Sequence, residues 1–221
     1  MERRHYRLVS LLAPLCLWQG ALSLGLLSET VLPPPVSIAA TTLALLGEPS
    51  FLYHLLGTLR RTASASVLAA TGGTAVGFAM AANPTVKQVV SPVVSAVFAL
   101  PVVAMFPLVI FVLGSEDLAI VFTAAVGSFI LVVWNARNGA QSIDPTLLQA
   151  ARDNGARSRW ALFREVWLPG SLPLLFVGAR LGLSMSLLIV VSVEFIEGDD
   201  GLGYVLWIAW QSYQLPRLYA T

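Results

Sequence analysis

Reactive and metal-ligating side chains are scarce in this 221-residue sequence. Cys16 is the only cysteine, so no disulfide can form within the chain, and a cysteine-based metal site is short of ligands. The two histidines, His5 and His54, lie far apart and show no metal-ligand spacing. No nucleophile–base–acid triad is visible either. Lys87 is the sole lysine, and it follows Asn83, Pro84, Thr85 and Val86. The phosphate-cradling pattern GxxxxGK[ST] is therefore missing, and any ATP hydrolysis belongs to a separate chain. Charged residues make up 11% of the sequence, against about 25% in a soluble domain. The net charge is +1 and no basic cluster alternates with aromatics. That composition points away from nucleic acid.

Apolar residues take the place of charge. They form 57% of the chain and gather in long runs, the mark of an integral membrane protein in contact with lipid. The expected fold is all-α, a polytopic transmembrane helical bundle with five spans and no complete sixth. The first span is residues 8–28, behind a basic start, MERRHYR. It is longer than the usual h-region of about 7–15 residues, which favours an uncleaved anchor over a signal peptide cut at residues 21–23. Pro33, Pro34 and Pro35 mark residues 29–50 as a loop. Residues 51–59, with His54, read as a short interfacial helix.

The second span is residues 62–82. Gly73 and Gly77, with Ala69 and Ala81 a turn to either side, let another helix approach closely. The third span, residues 88–113, contains Pro92, Pro101 and Pro107. It is expected as a kinked helix, with Pro101 and Pro107 either at a gate or pathway, or in simple kinked contact. Residues 118–136 and 172–193 form the fourth and fifth spans. Arg180 in the fifth reads as a structural anchor. Glu194, at its far end, is either a functional ionisable group or a solvated helix end. Asp199 and Asp200 read as solvated loop, and residues 204–213 as an interfacial aromatic segment.

With five spans, Arg3, Arg4, Arg7, Lys87, Arg137, Arg152, Arg157, Arg159 and Arg164 share one side. The positive-inside rule places that side in the cytoplasm. Residues 144–169, DPTLLQAARDNGARSRWALFREVWLP, are thus a charged cytoplasmic loop between two apolar spans. Asp144 is a good N-cap and Pro145 suits N1. Leu147, Leu148 and Ala151 share a face. Gly155 can take the left-handed conformation that ends the helix, and Ser158 can cap a second one bearing Trp160, Phe163 and Trp167. The reading is two short helices at an angle, with an apolar face and an arginine rim. Such a loop either braces the bundle or docks in a partner's groove.

Gln149, Ala150 and Ala151, then Gly155, then Leu168 and Pro169, resemble the EAA loop of ABC importer permeases. Residues 58–61 (TLRR) resemble the start of that family's core domain. Leu100, Pro101, Pro107, Leu108 and Gly114 resemble its third-helix pattern. Ile143, Asp144 and Pro145 before the loop, and Gly201, Leu202 and Gly203 after the fifth span, also match. The resemblance covers residues 51–221 and is nearest to the nitrate, sulfonate and taurine branch. Gln149 replaces the usual glutamate and loses a charge-assisted contact. The spacing from Gly155 to Leu168 and Pro169 is one residue longer than the common pattern.

The resemblance implies two regions: an N-terminal anchor and external loop at residues 1–50, and a permease domain at 51–221 with its coupling loop at 144–169. It implies a non-enzymatic transport subunit of the inner cell membrane, without a cofactor in this chain. ATP-binding subunits would dock on the loop through Gln149, Ala150, Ala151, Gly155, Leu168 and Pro169. An extracytoplasmic solute-binding protein and a second permease copy, as a homodimer, would complete the assembly. The solute would be a small one, such as nitrate, a sulfonate or taurine. The rival is a secondary carrier or channel working without an ATPase, which more often shows a charged site within its spans.

Overall fold

The computed structural model describes residues 2–156 and 158–221, without the side chains of residues 2–12 and Arg159. Arg157 and the side chains of Arg159, Arg3, Arg4 and Arg7, all used in the sequence reading, lie outside the described residues. The chain divides into two compact units, Thr58–Val193 and a second made of Met1–Gly57 with Glu194–Thr221. Every regular element among the described residues is helical. The protein is an all-α, polytopic helical bundle.

Helix α1 is Glu2–Ser23, α2 Pro35–Leu45 and α3 Pro49–Ala82. Helix α4 is Pro84–Ala99, α5 Phe106–Leu113 and α6 Glu116–Gln141. Helices α7 (Pro145–Asp153) and α8 (Arg159–Leu162) follow. Then come α9 (Leu168–Glu197), α10 (Leu202–Gln211) and α11 (Leu215–Ala220). Among the described residues, α3, α6 and the continuous run Trp160–Glu197 are long and apolar enough to cross a membrane, and the α4–α5 pair can add a fourth span. Helix α1 covers the first predicted span, residues 8–28, only as far as Ser23, and it is not among these membrane-crossing helices.

Three sequence expectations need correction. Residues 51–59 are not a separate interfacial helix; they form the first part of α3, which starts at Pro49 and meets no break before Ala82. The predicted loop at 29–50 contains α2, because Pro35 stands at the first helical turn, where its missing amide proton costs nothing. The third span is not merely kinked. Leu100 is extended at φ −84° and ψ 139°, as a residue before proline prefers. Pro101 then opens a 3₁₀ turn, Val102–Met105, and the two halves bend by 89°. Pro107 sits in the first turn of α5, so it starts a helix rather than kinking one.

In the unit Thr58–Val193, α6 is the central helix. Ala119, Ile120, Ala124, Val133 and Ala136 on it are completely buried. Small residues set the approach of its neighbours. A Cβ added to Gly77 would lie 2.7 Å from both Ala136 Cβ and Val133 O, so α3 rests directly on the α6 backbone. The predicted close seam at Gly73 and Gly77 is therefore present. Across the other face, Ser186 of α9 donates to Ser128 of α6 at 2.8 Å, deep inside the unit. Arg61 of α3, itself buried, donates to Asp117 at 2.7 Å, and Arg60 reaches the same carboxylate. This charge-assisted fork ties α3 to the first turn of α6.

In the second unit, Leu45, Phe51 and Val205 form the core, and α11 packs on α2 and α10. Arg217 pairs with Glu48 at 3.2 Å.

Candidate functional site

The polar segment after α6 folds as its sequence dictates. The Asp144 carboxylate accepts the Thr146 amide proton at 2.8 Å, with Pro145 at the first helical position. That hydrogen bond, with one from the Thr146 side chain, holds the Asp144 carboxyl below its ordinary value. At the other end, Gly155 has φ +104°. Its amide donates to Arg152 O at 3.1 Å, and the Ala156 amide reaches back to Ala151 O at 2.9 Å. These two bonds are a Schellman closure, which satisfies the last carbonyls of α7. Ser158 Oγ then accepts the Ala161 amide at 3.0 Å and caps α8.

The second helix differs from expectation in one respect. It does not close at Leu168 and Pro169. It widens into a π turn, Phe163–Trp167, and runs on into α9, with Pro169 as the second residue of α9. α7 lies against α8 and this π turn. Ala156 and Leu162 within this hairpin are buried. Phe163 meets Phe78 of α3 edge-on, with ring centroids 5.1 Å apart.

The outer surface of this hairpin is unlike an ordinary polar loop. Leu147 is 57% exposed and Trp160 69% exposed. Gln149, Ala150 and Gly155 are exposed too, while Ala151 and Leu168 are half-buried. The structure thus gathers Gln149, Ala150 and Ala151 on one short, doubly capped helix, with Gly155 in the turn that closes it. Leu168 and Pro169 begin α9, just after the π turn against which α7 lies. Among the described residues, no group of three or more His, Cys, Asp or Glu could hold a metal.

The remaining candidates lie elsewhere. Pro101 lines an apolar cavity of about 290 Å³ with Leu100, Gly127, Met185 and Ile189, between the bend, α6 and α9. Pro107 is not among its walls. Glu194 is 0% exposed, so it is not a solvated helix end. Its Oε2 accepts the Gly203 amide at 3.1 Å, near the start of α10. Gly201, at φ +103°, leaves the space this needs: a Cβ there would lie 2.2 Å from Glu194 Cδ. His54 Nδ1 accepts the Gly201 amide at 3.1 Å. Sequence reasoning found Glu194 but not His54, since a backbone partner leaves no residue-type signal. The aromatic pair Phe78 and Phe163 was missed for a similar reason, being 85 positions apart (163 − 78).

Comparison with known proteins now decides the family. The model of the binding-protein-dependent transport system inner membrane component matches residues 73–221. The chain belongs to that family. A probable ABC transporter permease of Brucella melitensis is 32% identical to this permease over 191 residues, 86% of this chain and 77% of its own length. The taurine transport system permease protein TauC of Escherichia coli is 30% identical over 87% of this chain and 71% of its own length. The riboflavin transport system permease protein RibX of Chloroflexus aurantiacus is 32% identical over 96% of this chain and 79% of its own length. The inward-facing MetNI methionine ABC transporter shares the fold, with a TM-score of 0.63 at 22% identity over 74% of this chain and 82% of that one. The permease is thus a multi-pass membrane protein, a transport subunit of the ABC permease kind.

Proposed function

We propose that this permease forms the translocation path of an ATP-driven importer, with residues 144–169 as the docking element for a separate ATP-hydrolysing subunit. One observation carries this reading. Helix α7 is capped at both ends yet leaves Leu147 exposed, and Trp160 stands exposed beside it. A fixed helix with an apolar face in water is the form that fits a partner's groove. The side bearing Lys87, Arg137, Arg152 and Arg164 is the cytoplasmic one. A second permease copy forms the other half of the path, and an external solute-binding protein delivers the solute. ATP-driven closure of the ATPase pair draws the two loops together and switches access from one side to the other. Gln149, Ala150, Ala151 and Gly155 transmit force and do no chemistry, and Pro101 with its cavity belongs to the moving part of the path.

The solute in this reading is a small sulfonate such as taurine or an alkanesulfonate, which the likeness to TauC supports. Riboflavin is the second reading, supported by the likeness to RibX over nearly the whole chain. Uptake of labelled taurine, hexanesulfonate and riboflavin by cells carrying the complete system separates them. Sulfonate uptake that stops when the ATPase is inactivated fits the proposal. Uptake that persists without the ATPase fits a secondary carrier or channel and defeats it.

A further inference from the structure

Three rings form a ladder from the tip of the loop into the body of the unit Thr58–Val193. Trp160, exposed, stacks on Phe163 with centroids 5.5 Å apart and planes 24° apart. Phe163 meets Phe78 edge-on, at 5.1 Å and 84°. Phe78 is 6% exposed and belongs to α3. It follows Gly77, the residue at which α3 touches the α6 backbone. A push delivered at Phe78 therefore meets a seam that cannot give locally, because close-packed interiors transmit strain.

The base of the ladder is also distinctive. The Leu168 amide bonds to Phe163 O across five residues, so the π turn begins at Phe163 itself. π turns cluster at functional sites and change the direction in which a helix projects its side chains. Here the turn separates the exposed end of the run from its membrane-spanning length.

We propose that Phe163 is a positioning residue that carries motion of the docking loop into α3 through Phe78. The proposal rests on the docking reading above. It goes beyond that reading by naming the route the motion takes. Edge-on contact is a favoured aromatic geometry that can form and break without covalent change.

The test uses the permease purified with its own ATPase subunits in lipid nanodiscs. A bimane on Leu68→Cys, in a Cys16→Ser background, reports α3. Its fluorescence is compared without nucleotide and with ATP plus vanadate. Phe163→Ala is expected to reduce that difference about two- to tenfold, the weight of an aromatic pair beyond its buried area. For Phe163→Ala, which lies in the docking element, the signal is normalised to the amount of bound ATPase; for Phe78→Leu, in α3 and outside that element, ATP hydrolysis and bound ATPase are expected to stay near those of the unaltered protein. Phe163→Tyr, which keeps the ring, is expected to restore the signal. Phe78→Leu, a milder change than alanine in a buried position, is expected to act like Phe163→Ala. An undiminished nucleotide signal in both Phe163→Ala and Phe78→Leu overturns the proposal. So does a loss of signal matched by an equal loss of bound ATPase. Absence of ATPase from the unaltered protein is a separate result and overturns the docking reading, and the ladder with it.

Discussion

Replacing Gly77 by alanine adds one carbon where α3 meets α6, and the structure sets the size of the effect. That carbon would lie 2.7 Å from Ala136 Cβ, 2.7 Å from Val133 O and 2.9 Å from Arg137 N. Two of the three are backbone atoms of a buried helix, so no side chain can swing away. Ordinary contact begins near 3.4 Å, so the helices must part by roughly 0.7 Å, and overpacking of this kind costs about 1–3 kcal/mol. Alanine also gains about 1 kcal/mol in helix propensity over glycine. Gly72 provides the control, since a Cβ there would meet only the ring edge of Phe129, at 3.3 Å. Gly72→Ala takes the same propensity gain without the clash. The difference between the two variants therefore isolates the seam. At about 2–4 °C per kcal/mol for a chain of this size, Gly77→Ala should melt about 2–12 °C below Gly72→Ala. Thermal unfolding of the detergent-purified protein, followed by tryptophan fluorescence, measures it. Equal melting points would refute the claim that α3 rests on the α6 backbone.

Asp144→Ala removes the cap of α7, and amide exchange across Pro145–Asp153 should speed up about fivefold at pH 7, the weight of a typical N-cap. Because the folded Asp144 pKa lies below its ordinary 3.8, the cap is fully formed above that value and is lost as pH falls through the folded pKa. Exchange in the two proteins should converge in acid and stay apart at neutral pH; a difference that widens in acid would contradict the sign. Glu194→Ala strands the buried Gly203 amide and should destabilise the protein by about 1–3 kcal/mol. Glu194→Gln, which keeps an acceptor oxygen, should cost less in the same unfolding assay; equal losses would show that the hydrogen bond to α10 is not what Glu194 provides. Gly201→Ala should be at least as damaging, since its Cβ would overlap the Glu194 carboxyl at a φ of +103°.

The features legible in the sequence are those governed by local chemistry. Asp144, Pro145, Gly155 and Ser158 each act within four residues of their own position, and each does what its side chain predicts. The Gly73 and Gly77 seam was readable because a repeat of small residues leaves a groove whatever fills it. Less local features were not readable. Three prolines in an apolar span are compatible with either a kink or a full break, and only the extended conformation of Leu100 decides for an 89° turn. The unbroken α3 was obscured because a polar stretch around Arg60 and Arg61 looks like a span boundary. In the folded unit Asp117, 56 residues beyond Arg61, satisfies those charges. The π turn at Phe163–Trp167 was not readable either, since no residue type in that stretch marks it.

The docking role of the loop is tested most directly by co-purification with the ATPase subunit of its own system, quantified as ATPase bound per permease. The unaltered permease is predicted to retain one ATPase subunit per copy. Gly155→Asp forces a side chain into φ +104°, which L-residues rarely adopt, and undoes the Schellman closure of α7. That variant is predicted to keep its fold in the membrane and to lose ATPase binding about tenfold or more, with uptake falling in step. Retention of the ATPase by Gly155→Asp, or its absence from the unaltered permease, would contradict the account.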